Sequence, residues 1–116
     1  MTGKIEKFED LKIRQDGIEI VVKVYSELRD CKDYGLRDQM QRSAVSIPSN
    51  IAEGFDRKSN KEFIRFLRIA KASCAELRTQ LIIAKRISLF NSETLIEDSR
   101  KLSAMIQKMI SYREKI

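Results

Sequence analysis

The stretch from Gln41 to Gly54, QRSAVSIPSNIAEG, decides how the chain is interpreted. It holds the only proline of the sequence, Pro48, within apolar residues that are spaced as in a helix. A proline inside a helix removes one backbone hydrogen bond and clashes with the carbonyl group four residues earlier, here that of Ala44, at a cost of roughly 3 kcal/mol. Nearby hydroxyl and amide groups can bond to that carbonyl. The sequence therefore predicts a kinked helix, and the candidate donors are Ser46, Ser49 and Asn50.

Four segments carry apolar residues at the three- and four-residue spacing of a buried helix face. The predicted helices span residues 10–31, 36–55, 60–88 and 92–114. In the first helix the expected buried positions are Leu11, Ile18, Val21, Val22, Tyr25 and Leu28. In the third they are Phe63, Phe66, Leu67, Ala70, Cys74, Leu77, Leu81, Ala84 and Ile87. In the fourth they are Leu95, Leu102, Met105, Ile106, Met109 and Ile110. Such helices with short joints predict an all-α fold, an antiparallel up-and-down four-helix bundle that forms one domain over residues 1–116.

The joints between the helices also have sequence signals. Gly35 is expected to break the chain between the first two helices. Gly54 is expected to end the second helix, because glycine tolerates the left-handed backbone of a helix terminus. Ser59 and Glu62 have the spacing of a capping box at the start of the third helix, and the residues 91–93 are expected to cap the fourth.

The residue inventory argues against catalysis. The chain has no histidine, no glycine-rich phosphate loop and no paired cysteines at metal-site spacing. We expect a protein that is not an enzyme and that uses no cofactor and no metal. The charged N-terminus does not resemble a signal peptide, and the apolar runs fall short of the ~20 residues of a membrane span. These features predict a cytoplasmic protein that is not in a membrane, with Cys31 and Cys74 reduced.

The positive charge is concentrated in one segment. The chain has a net charge of +6, and residues 57–86 alone contain nine basic and two acidic residues. The candidate nucleic-acid-binding residues are Arg57, Lys58, Lys61, Arg65, Arg68, Lys71, Arg78, Lys85 and Arg86. Because no aromatic residue interleaves with them outside the apolar stripe, binding would use the phosphate backbone of RNA or DNA rather than stacked bases. The alternative interpretation is an ordinary solvated helix face.

A second group of polar residues accompanies the proline, and two interpretations of it stay open. The group comprises Ser46, Pro48, Asn50, Glu53, Gly54 and Glu76. In the first interpretation Ser46, Asn50, Glu53 and Glu76 form a functional pocket. In the second, they satisfy the backbone around the proline and bond to neighbouring helices or subunits, and Glu53 pairs with Arg57 one turn later.

The motif SAVSIPSNIAEG, followed by KSNKEFIRFLRIAKAS and AELRTQL, resembles a family of bacterial four-helix-bundle proteins encoded in 23S rRNA intervening sequences. The resemblance extends to FEDL at residues 8–11 and to YGLRDQMQRSA at residues 34–44. Accessory proteins of diversity-generating retroelements are related to this family.

The resemblance implies a ring-shaped homopentamer and binding of RNA or DNA. Its alternative is a protein-interaction scaffold or accessory subunit, for example for a reverse transcriptase. Gly17 departs from the small helix-favouring residue common in the family, which predicts a softer first helix.

Overall fold

The computed structural model describes the backbone of residues 2–116 and the side chains of residues 12–116. It contains four helices, α1 (Thr2–Glu27), α2 (Tyr34–Asp56), α3 (Asn60–Arg86) and α4 (Glu93–Glu114). Each helix packs on the next along the chain, and α4 returns to α1. The predicted all-α four-helix bundle is confirmed. The FEDL motif and the expected burial of Leu11 lie outside the described side chains.

The helix boundaries differ from the sequence prediction at the joint between α1 and α2. α1 begins at Thr2 and ends at Glu27, after which the backbone tightens into three-residue turns, with Cys31 N bonded to Leu28 O at 3.0 Å. α2 begins before Gly35, because the Asp33 carboxylate accepts a hydrogen bond from Leu36 N at 3.2 Å and caps the helix. Gly35 therefore lies in the first turn of α2, and its expected role as a helix break is wrong.

The predicted buried face of α1 is wrong for three of its residues. Ile18, Val22 and Tyr25 are exposed, and Ile13, Ile20 and Val24, which were not predicted, are buried in the core instead. Leu28 is buried as predicted. α1 carries two apolar stripes, and spacing alone does not say which one faces the bundle. In α3, the eight predicted positions from Phe63 to Ala84 are buried, whereas Ile87 lies just after the helix and is exposed.

α1 and α2 approach each other closely where Gly17 faces Pro48. A Cβ atom on Gly17 would lie 3.2 Å from Cβ and 3.3 Å from Cδ of the proline ring. Pro48 is buried inside α2, which continues helical on both sides of it to Asp56. Gly17 therefore makes room for the proline ring at this helix contact.

Gly54 has a different role from the one predicted. It lies within α2, which ends at Asp56, and none of the glycines with described backbone has a positive φ. A Cβ atom on Gly54 would lie 2.6 Å from Cβ of Phe66 and 2.9 Å from Cδ1 of Phe63. The glycine is required by the close approach of α2 to α3 and not by a left-handed helix terminus.

The capping predictions hold in part. The Ser59 hydroxyl accepts a hydrogen bond from Glu62 N at 3.3 Å, but the Glu62 carboxylate bonds to Arg65 instead of reaching back. At the start of α4, the amide oxygen of Asn91 accepts from Glu93 N at 3.2 Å. The buried Ser92 hydroxyl donates to the Leu81 carbonyl at 2.7 Å, so it ties the loop to α3.

Candidate nucleic-acid interface

The polar group around the proline forms a hydrogen-bonded connection between α2 and α3. The hydroxyl groups of Ser46 and Ser73 are 2.8 Å apart, and the Asn50 amide donates to both the carbonyl and the hydroxyl of Ser46 at 2.8 and 2.9 Å. The Asn50 amide therefore donates to the Ser46 carbonyl. It does not donate to the Ala44 carbonyl, which is the group that the proline was expected to leave without a helical hydrogen bond. Together with the packing of Pro48 and Gly54, these bonds hold α2 against its neighbouring helices at the motif.

Glu76 lies apart from this network. It lines a cleft of about 290 Å³ between α2 and α3 together with Gln39, Arg42, Ser43 and Ser46. Among the side chains of residues 12–116, no ion pair includes Glu76. The structure therefore brings Ser46 and Asn50 together and leaves Glu76 at the edge of the contact between α2 and α3.

Several basic residues are held at one end of the bundle by aromatic rings. The guanidinium carbons of Arg57 and Arg65 lie 5.1 and 4.6 Å from the ring centre of Phe66, and that of Arg113 lies 4.7 Å from the ring centre of Phe63. Such cation–π contacts position the charges at a modest gain in free energy. We call this end the basic corner. It comprises Arg57, Lys58, Lys61, Arg65, Arg68 and Arg113.

The basic corner includes Arg113, which charge counting within residues 57–86 missed. Its Nη1 donates to the Asn60 side chain at 3.2 Å, and the Asn60 amide donates to the Arg113 carbonyl at 2.8 Å. In an antiparallel bundle the last turn of α4 lies beside the first turn of α3. The antiparallel topology could therefore have predicted that Arg113 lies near the start of α3.

Carboxylates neutralise part of the predicted basic surface. Arg57 pairs with Glu53 at 3.0 Å, as predicted, and Arg65 makes two bonds to Glu62 at 3.1 and 3.2 Å. The Arg65 hydrogen bond lowers the pKa of Glu62, and the same bond raises the pKa of Arg65. In the third turn of α3 Arg68 pairs with Glu114, and in the last turn Lys85 pairs with Glu93.

Five of the nine candidate residues make no ion pair with any side chain from residue 12 onward. They are Lys58, Lys61, Lys71, Arg78 and Arg86. At 100° per residue, Lys61, Arg65 and Arg68 share one outward face of α3. Lys71 belongs to a second row at the border with α4, where its amine bonds to Gln107 at 2.7 Å. On α3, Lys61, Arg65 and Arg68 therefore form one row, and Lys71, Arg78 and Lys85 form a separate one.

The weakness of exposed ion pairs keeps the basic corner available to an anion. Arg57, Arg65 and Arg68 are each about half exposed, and pairs of this kind contribute about 0–1 kcal/mol. A phosphate oxygen can replace such a carboxylate at a small cost. The corner can therefore present Lys58, Lys61 and three exchangeable arginines to one phosphate backbone.

Other chemistry has little support in the part of the chain that is described. Cys31 and Cys74 are free thiols, and burial raises the pKa of Cys74 to about 12, which makes it a poor nucleophile. No cluster of three metal-ligating side chains occurs among residues whose side chains are placed. Over the same residues, no helix is long and apolar enough to cross a membrane.

The chain is similar to a known protein family and to a solved structure. A sequence profile of the 23S rRNA-intervening sequence protein family matches residues 9–111. A crystal structure of a Bacteroides thetaiotaomicron protein of unknown function, from the S23 ribosomal protein family, is similar with a TM-score of 0.82 and 23% sequence identity. The similarity covers 89% of this chain and 98% of that one. No curated protein sequence matches this chain significantly.

Proposed function

This chain belongs to the 23S rRNA-intervening sequence protein family, and from that premise we propose that it is a non-enzymatic, self-assembling protein that binds RNA or DNA through its basic corner. The observation that carries the proposal is the set of cations from three elements at one end of the bundle. Two of them, Arg57 and Arg65, are held over the ring of Phe66. Such a surface suits the phosphate backbone and has little means of reading the base sequence.

Self-assembly would strengthen such binding. We propose the ring-shaped homopentamer that the family resemblance implies, in the cytoplasm. A ring would present five copies of the basic corner, and phosphate contacts made by several copies add in the same direction. Light scattering on the purified protein checks this part, with an expected mass of about 67 kDa, five times the 13.5 kDa of one chain.

Binding is tested by fluorescence anisotropy with labelled RNA and DNA of unrelated sequences at several salt concentrations. The test variant replaces Lys61, Arg65 and Arg68 with glutamine. A matched control variant replaces three exposed lysines outside the corner, Lys12, Lys32 and Lys101, and so loses the same charge. Circular dichroism checks that both variants remain folded.

We expect the wild type to bind all sequences similarly and to lose affinity steeply with salt. The corner variant should lower the salt slope by about one for each lost phosphate contact, which is about three for each chain that contacts the nucleic acid, and the control should change it little. Equal losses in the two variants would mean that net charge alone attracts the nucleic acid. If the wild type does not bind at low salt, the proposal fails.

The second candidate function is an interaction scaffold or accessory subunit, for example for a reverse transcriptase. It is favoured by the ion pairs that neutralise part of the corner and by the apolar side chains exposed on α1. In this case a protein partner, and not nucleic acid, would be the main ligand.

A further inference from the structure

An apolar groove runs along the outer side of α1 and α2. Its walls include Val22 and Tyr25 from α1 and Val45 from α2, and it is a shallow, open depression of about 780 Å³. Val22 is 58% exposed, and the other two side chains are also exposed. We call this surface the α1–α2 groove. Grouped apolar side chains at a protein surface mark a binding site more often than scattered ones do.

A second apolar surface lies on the outer side of α3. Ile69 and Ile83 are exposed, and so is Ile87, which follows the last residue of the helix. At 100° per residue these three positions fall within about 40° of one another around the helix axis. We call this stripe the α3 ridge. By the same geometry, Glu76 lies in the middle of the ridge and is its only charged residue between positions 69 and 87.

The two surfaces differ in shape and lie on different helices. Copies related by a rotation that closes into a ring meet through two different patches, because each copy contributes a front and a back surface. A chain that forms such a ring therefore needs two separate contact surfaces. The groove and the ridge satisfy this condition, whereas a twofold dimer would need only one self-complementary patch.

From these observations we propose that the α1–α2 groove of one copy receives the α3 ridge of the next copy. This assignment of surfaces rests on the proposed self-assembly. It uses the second apolar stripe of α1, which the bundle core leaves exposed. The ridge begins at Ile69, so the first two turns of α3, with Lys61 and Arg65 of the basic corner, precede it.

Charge complementarity supports a second copy as the occupant of the groove. The charged side chains that line the groove are Arg29 and Arg37, and no carboxylate lines it. The ridge offers the opposite charge in Glu76. Neither Arg29 nor Glu76 has an ion-pair partner among the placed side chains. Opposite charges at a contact favour the correct orientation more than they add affinity.

The proposal is tested by separate changes to the two surfaces, followed by mixing. The groove variant is Val22→Glu, and the ridge variant is Ile83→Glu. A second groove variant, Val45→Glu, places the same charge on the other helix. The control, Ile116→Glu, changes an exposed apolar side chain at the C-terminus, outside both surfaces. Because all four positions are exposed, the fold should survive, and circular dichroism checks it.

We expect the wild type and the control to have the same oligomeric mass by light scattering, and each groove or ridge variant to fall to 13.5 kDa. The groove variant keeps an intact ridge, and the ridge variant keeps an intact groove. A one-to-one mixture of Val22→Glu and Ile83→Glu should therefore form a heterodimer of about 27 kDa, twice the mass of one chain.

Different failures have different meanings. A wild type that stays at 13.5 kDa at all concentrations overturns the self-assembly and this assignment together. If the wild type is oligomeric and neither the groove variants nor the ridge variant lowers the oligomeric mass, the assignment of surfaces alone is overturned. The same holds for a groove variant that dissociates while the ridge variant does not, because the groove would then meet a different surface. A mixture that stays monomeric also overturns the pairing of groove with ridge.

Discussion

Replacing Gly54 with alanine should destabilise the protein although alanine is the better helix former. The new Cβ would lie 2.6 Å from Cβ of Phe66, whereas carbon atoms in contact prefer about 3.5–4.0 Å. Cβ of Phe66 is fixed to the α3 backbone, so the helices must separate by about 1 Å at this point. Overpacking costs about 1–3 kcal/mol, and the gain in helix propensity is about 1 kcal/mol. We expect the upper part of that cost and a net loss of about 1–2 kcal/mol.

Urea unfolding followed by circular dichroism, at one fixed protein concentration, measures this loss. With a slope of about 2 kcal/mol per molar, the midpoint should fall by about 0.5–1 M. Gly35→Ala is the matched control, because a Cβ there meets only Asp33 Oδ1 at 3.9 Å. That variant should raise the free energy of unfolding by up to about 1 kcal/mol. If Gly54→Ala raises the midpoint as Gly35→Ala does, close approach to α3 is not the reason for the glycine.

Two further results are expected. Ser59→Ala should lower the free energy of unfolding by about 1 kcal/mol, because it removes the cap on Glu62 N; an unchanged urea midpoint would show that the cap contributes nothing. Only one thiol, that of the half-buried Cys31, should react readily with a thiol reagent near pH 8, because Cys74 is buried and its pKa is raised to about 12. Mass spectrometry locates the label. Rapid labelling of Cys74 in the folded protein would contradict the placement of α3.

The fold could be predicted from the sequence because most apolar residues follow one helical period. α3 is the clearest case, since its buried side chains form a single stripe from Phe63 to Ala84. α1 is the opposite case, because two apolar stripes compete and the choice depends on which one meets Pro48 and the other helices. Spacing within one segment carries no information about that contact.

The candidate site could be predicted only in part for a similar reason. Charge counting found the basic residues of α3 and the pairing of Arg57 with Glu53, which are local in sequence. It missed Arg113 and the carboxylate of Glu114, because these reach α3 from the far end of the chain. Gly54 was interpreted from backbone freedom alone, whereas its role depends on the positions of two phenylalanine rings in another helix.

The contact between Gly17 and Pro48 has a consequence for the alternative states of α1. The two apolar stripes of this helix lie about a third of a turn apart, so a rotation about its own axis would exchange one apolar face for the other at little cost in hydrophobic burial. Such a rotation would place a residue with a side chain against the proline ring, where even a single methyl carbon would be only 3.2 Å away. The glycine therefore selects one rotational setting of the helix by excluding its competitor. A residue that weakens the isolated helix thus favours one placement of that helix in the bundle.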